Sequence, residues 1–137
     1  MNKYGIEDLY EGMTESFDVT ITEGMMKNFL EITGDINPLH NDDEFAKAKG
    51  FENRVVYGML TSSMLSTLAG VYLPGERSLI REGDVKLKKP VFVGDTLTVS
   101  GTVEDIRAQL GIFDMKVTIV NDKGDKVLRG KMQMGII

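Results

Sequence analysis

Phe17, Val19 and Ile21 alternate with Asp18 and Thr20, the period-two pattern of a strand with one face buried. Thr22 then stands where a helix N-cap belongs. Met25, Phe29 and Ile32 recur at helical spacing as one apolar stripe, with Met26 and Leu30 beside it. Gly34 is the stop signal of that helix, so Asp35 falls just past its end. Pro38 keeps Asn37 out of the helical region, which predicts an irregular loop of fixed shape from Asp35 to His40. A short helix follows, opened by Asp42, Asp43 and Glu44 and closed at Gly50.

From Val55 to Gly75 the chain carries no charged side chain, a length close to that of a membrane span. Thr61, Ser62, Ser63, Ser66 and Thr67 interrupt the run and Pro74-Gly75 closes it, so it reads as a helix buried on most sides by protein. Beyond it alternation returns in four strands, containing Val85 and Leu87, then Leu97, Val99 and Val103, then Phe113 to Ile119, then Leu128, Met132 and Met134. Gly94-Asp95 and the stretch Asn121 to Asp125 mark turns between them. One uncharged helix followed by four strands, with a fifth strand ahead, predicts the α+β class. Residues 1–137 form a single domain, in which a curved antiparallel sheet of five strands wraps around a long central helix. Other α+β folds also bury one helix on one sheet, so the pattern alone does not select a named fold.

Composition narrows the functional classes. With 137 residues the chain fits one domain, and 21 acidic residues against 16 Lys and Arg give a net charge of -5 that repels polyphosphate and disfavours nucleic acid as a partner. There is no cysteine, hence no disulfide and no thiolate nucleophile, and a single histidine cannot supply a structural zinc site. No metal site is expected. The first eight residues lack the apolar stretch of a secretory signal, so a cytoplasmic location is expected, with no membrane partner. Gly-x-Gly-x-x-Gly, P-loop and Gly-x-Ser-x-Gly patterns are absent, which removes dinucleotide, nucleotide and serine-hydrolase readings.

The stretch Phe29-Leu30-Glu31-Ile32-Thr33-Gly34-Asp35-Ile36-Asn37-Pro38-Leu39-His40, with Ala46 six residues on, resembles the signature of the MaoC-like (R)-specific enoyl-CoA hydratases, a hot-dog-fold family. The resemblance continues through Val55-Val56-Tyr57-Gly58-Met59-Leu60 and Lys89-Pro90-Val91-Phe92-Val93-Gly94-Asp95-Thr96-Leu97. It implies a hot-dog domain that adds water to an enoyl-CoA, with Asp35 and His40 as the catalytic pair and Asn37 orienting their loop. It also implies a homodimer with its acyl pockets near the subunit interface. No separate cofactor is expected, because coenzyme A is part of the substrate.

The chemistry explains the residue types. Hydrating an enoyl thioester needs hydroxide character at C3 and a proton at C2, and one water held by two groups supplies both to one face. An imidazole exchanges protons near neutrality and a carboxylate takes the partner role, the order of transfer being open. The enolate oxygen needs a donor already in place. The resemblance puts it at the Gly58 N–H, at the start of the uncharged helix, where the dipole favours negative charge. Tyr57 stands where many relatives have histidine, either near the thioester or as a packed aromatic. Ser63 matches a serine near the active site of some bacterial relatives and would brace the catalytic loop or bond back within its own helix. Arg81, Lys86, Lys88 and Lys89 form the densest basic cluster, candidates for coenzyme A phosphates or a solvated strand face, and Met59 or Met64 is a candidate acyl contact.

Two competing readings are another hot-dog activity, a thioesterase or acyl-carrier-protein dehydratase, and a non-catalytic acyl-CoA binding module. The first counts against itself because such relatives place a carboxylate on the central helix and Val55 to Gly75 has none. An intact acid and base argues against the second.

Overall fold

The alternation at Phe17 and Val19 builds β1 (Thr14–Thr20), in a computed structural model that describes residues 1–137. Ile21 lies just beyond its end and is fully buried. Helix α1 (Glu23–Thr33) starts where the Thr22 side chain accepts a hydrogen bond from the Met25 N–H. It stops at Gly34, whose φ of 70° is left-handed, a conformation that costs glycine nothing. A single turn α2 (Pro38–Asn41), α3 (Asp43–Ala48) and α4 (Gly58–Thr67) follow, the last running into a π-helical turn at Leu68–Tyr72. Four strands close the chain: β2 (Ser78–Leu87), β3 (Thr96–Arg107), β4 (Ile112–Asn121) and β5 (Lys126–Ile136).

All pairs are antiparallel and the sheet order is β1-β3-β4-β5-β2. One face carries Val99, Val103, Phe113, Met115, Val117, Ile119, Leu128, Met132 and Met134, all buried, and α4 with its π turn lies against it through Leu60, Leu65, Leu68 and Ala69. Gly101 makes that approach possible, because a Cβ there would meet Met115 Sδ at 2.6 Å and Leu68 Cδ2 at 3.0 Å. The architecture is the sheet wrapped on a central helix that the hydrophobic pattern predicts. No helix is long and apolar enough to cross a membrane.

Three local expectations change. On α1 the inward residues are Met26, with Met25, Phe29 and Leu30 half-buried, while Ile32 on the last turn is 79% exposed. The Asp35–His40 loop is partly helical: Pro38 occupies the first position of a turn, where its missing N–H costs nothing, and the Asn37 side chain caps it. Finally, α4 is not enclosed on most sides, since Met59 is 70% exposed and Ser63, Ser66 and Thr67 also face outward.

Both edges of the sheet are open. Strand β2 is ten residues long with no fully buried residue, and it exposes Leu79, Ile80 and Leu87.

Candidate active site

The loop after α1 is built from its own side chains. Asp35 Oδ1 accepts from the Asn37 N–H at 3.0 Å and Asn37 Oδ1 accepts from the Leu39 N–H at 3.0 Å, two successive Asx turns that leave Asp35 Oδ2 without a protein partner. Asn41 closes the loop from the other side, its amide donating to the carbonyls of Asn37 (3.0 Å) and Asp35 (3.4 Å). Tyr57, only 2% exposed, donates its hydroxyl to the Asp35 carbonyl at 2.9 Å, and Asn41 Oδ1 lies 3.3 Å from that hydroxyl. Its ring lies between Phe29 and His40, with centroid separations of 4.8 and 4.4 Å. One buried aromatic thereby ties α1, the Asp35 backbone and the imidazole together.

The segment before α4 clasps the loop. The Val55 N–H donates to the Leu39 carbonyl, and His40 Nδ1 lies 2.7 Å from the Val55 carbonyl oxygen. A carbonyl only accepts, so Nδ1 carries the hydrogen, and the neutral ring then offers Nε2 as its acceptor. That fixes the tautomer without a second side chain. Upstream, Arg54 pairs with Glu23 at the start of α1, and the hydrogen bond that the guanidinium donates to that carboxylate raises its pKa further above the usual range.

His40 lines a cavity of about 310 Å³, the lower end of ligand-sized pockets. Gly58, Thr61, Leu87, Val91 and Val127 contribute to the same wall. Gly58 is the first residue of α4, and its N–H makes no backbone hydrogen bond; nor does the Tyr57 side chain cap the helix. An uncapped helix start facing a cavity is a ready anion site. A Cβ at Gly58 would sit 2.5 Å from Leu87 Cδ1, so the missing side chain keeps this corner open.

The structure therefore brings His40 and Gly58 to one cavity. Asp35 is exposed and is not among the residues lining it; Asn37 works inside the loop as cap and acceptor. Ser63 is exposed and donates to the Leu60 carbonyl at 2.6 Å, so it does not brace the Asp35–His40 loop; its helix position lets the hydroxyl fold back on the preceding turn. The basic cluster is divided. Lys88 and Lys89 line the cavity and Lys86 lines a different one, while Arg81 is exposed at an irregularity of β2, with Nε donating to Gln133 Oε1. Neither Met59 nor Met64 lines the cavity. Sequence reasoning missed Asn41 and Thr61. Thr61 is a polar residue 2% exposed on the cavity wall with no side-chain hydrogen bond, three positions after Gly58 on the same helix face.

Residues 10–124 match the family model described as MaoC like domain. An (R)-specific enoyl-CoA hydratase of Rhodospirillum rubrum is 35% identical over 97 residues, 71% of this chain and 67% of that protein. An (R)-specific enoyl-CoA hydratase of Aeromonas caviae is 36% identical over 103 residues, 75% of this chain and 77% of that protein. Among solved structures, the (R)-hydratase from A. caviae involved in PHA biosynthesis superposes with a TM-score of 0.91 at 30% identity, covering 96% of this chain and 99% of that one.

Proposed function

Because the chain belongs to the MaoC-like domain family, we propose that it is an (R)-specific enoyl-CoA hydratase, adding water reversibly to a trans-2-enoyl-CoA to give the (R)-3-hydroxyacyl-CoA. The observation that carries this reading is His40: its Nδ1 is committed to the Val55 carbonyl, leaving Nε2 as a proton acceptor on a cavity whose wall includes the uncapped start of α4. Water held by Nε2 attacks C3, with Asp35 of the same loop as the partner carboxylate through its free Oδ2. One O–H bond breaks, its proton passing to Nε2, and the alkene electrons move to the thioester oxygen, where the Gly58 N–H receives the charge. The proton then returns to C2 on the same face as the enolate collapses. No cofactor enters this sequence.

The working assembly is a homodimer acting in the cytoplasm. The exposed edge of β2, with Leu79, Ile80 and Leu87, and the exposed Ile32, Ile36 and Met59 around the catalytic loop support it, since long open edges invite pairing with a second copy. A thioesterase is not favoured, because α4 carries no carboxylate.

Two assays test the reading: loss of the conjugated-thioester absorbance on an enoyl-CoA panel of increasing chain length, and free-thiol release from saturated acyl-CoA. Hydration with an (R) product is expected. Thiol release without hydration, or an (S) product, overturns it.

A further inference from the structure

The five strands leave an outer face that the site does not use, and its charge is out of keeping with the molecule. In a chain of net charge -5, one groove of about 280 Å³ is lined by Lys86, Lys116, Lys126, Arg129 and Lys131 with Asp84 as its single carboxylate. The register sets these cations against one another: Lys86 is directly opposite Arg129, and Lys116 directly opposite Lys131. Like charges paired across strands destabilise a sheet. Only Lys131 has a countercharge, Asp114 Oδ2 at 2.9 Å, and that hydrogen bond raises its pKa. Lys86, Lys116, Lys126 and Arg129 have neither an ion pair nor a side-chain hydrogen bond. Locally unfavourable charge, kept where opposite charge is plentiful elsewhere on the chain, marks a place where a ligand supplies the neutralising charge.

The groove's position points to the ligand. Side chains alternate across a strand, so Leu87 and Val127 reach the His40 cavity while their neighbours Lys86 and Lys126 reach the groove. Cavity and groove thus occupy opposite faces of one corner of the sheet. Lys88 and Lys89 line the cavity just past the end of β2, and Lys89 is paired with Asp125. A ligand with its reacting end in the cavity and a flexible arm around that end of β2 would bring the far end of the arm onto five cations.

We propose that this groove binds the phosphates of the substrate's carrier, the 3′-phosphoadenosine diphosphate end of coenzyme A, while the thioester sits on the other face beside His40. The assignment rests on the enoyl-CoA reading given above. Three phosphate groups bring about four negative charges at neutral pH, against five cations and one carboxylate. Arg129 supplies a planar fork for bidentate contact and the lysines supply point charges.

The test uses the full chain and two variants, Arg129→Glu and Lys116→Glu, titrated calorimetrically with adenosine 3′,5′-bisphosphate and with inorganic phosphate. The wild type is expected to prefer the bisphosphate, with affinity falling as salt rises. Each reversal is expected to weaken bisphosphate binding at least about tenfold, the scale of a lost charged hydrogen bond. Arg129→Glu places an acid opposite Lys86, so its melting temperature should be unchanged or raised, which separates lost binding from lost folding. In turnover, the reversals should raise KM for enoyl-CoA at least about tenfold with kcat kept, and leave the enoyl-pantetheine thioester unaffected. Unchanged bisphosphate affinity overturns the proposal. So does a KM increase shared by the pantetheine thioester, a defect confined to enoyl thioesters of acyl carrier protein, or a loss explained by a changed oligomeric state. A wild type that hydrates no enoyl thioester would refute the functional reading alone, because the bisphosphate titration still decides the groove.

Discussion

Replacing Tyr57 by Phe removes one oxygen and leaves the buried ring between Phe29 and His40 in place. The hydroxyl lost is the 2.9 Å donor to the Asp35 carbonyl. That carbonyl retains the Asn41 amide at 3.4 Å and belongs to an exposed loop, so it is not orphaned. The cost is therefore the net worth of a single hydrogen bond, about 1 kcal/mol, rather than the larger penalty of a buried unsatisfied group. For a chain of 137 residues this corresponds to a melting temperature lower by about 3 to 5 °C. If the same energy holds the loop in its reactive position, kcat falls roughly fivefold, at 1.36 kcal/mol per decade. KM should change little, because the hydroxyl bonds the loop backbone rather than the cavity's contents. Thermal melts and steady-state hydration kinetics on the two proteins measure both effects. A Tyr57→Phe protein identical to wild type in melting temperature and kcat would refute the claim that this hydroxyl positions Asp35.

His40→Ala and Asp35→Asn should each lower kcat for hydration at least about a hundredfold while the melts stay close to wild type; retention of activity in either would remove that residue from the mechanism. Gly58→Ala should fold, since the added methyl meets only the movable end of Leu87, yet crowd the helix start and lower kcat/KM; unchanged kinetics would place the oxyanion elsewhere. The hydrogen bond from Lys89, reinforced by its charge, holds the Asp125 carboxyl below its usual 3.8. The stabilisation from this pair is present above the unfolded value and fades as pH falls through the lower folded one. In Lys89→Ala, the NMR titration of Asp125 should move back up, and an unmoved midpoint would contradict the pairing. Light scattering should report twice the 15.2 kDa chain mass, and Ile80→Lys, on the open edge of β2, should shift the population toward monomer; a wild-type monomer refutes the dimer.

Much of the fold and of the loop is legible in the amino-acid sequence, because short-range chemistry dictates it. Thr22, Gly34 and the alternating strands act within a few residues, and the Asp35–His40 motif carries its own turn signals. The misses are of a different kind. Ile32 reads as core by spacing, yet whether a helix's last turn stays on the core depends on the angle at which the helix crosses it. The Pro38 turn was available from the pairing of an Asn cap with Pro at the first helical position, which competes with the rule that proline breaks helices. Arg81 and Lys86 to Lys89 are near one another in sequence, but the alternation of β2 and its end at Leu87 send them to different surfaces. Asn41 and Thr61 answer to no spacing rule, since their roles arise only where Tyr57 and the cavity wall meet the loop in space.

Hydration run in D2O is the decisive experiment, because one solvent molecule held beside Nε2 of His40 must deliver both its oxygen and its proton to the same face. Proton coupling constants in the 2-deuterio-3-hydroxyacyl product read the geometry. A (3R) product is expected, with deuterium at C2 added syn to the hydroxyl. Anti addition, or a mixture of C2 epimers formed during turnover, would contradict it.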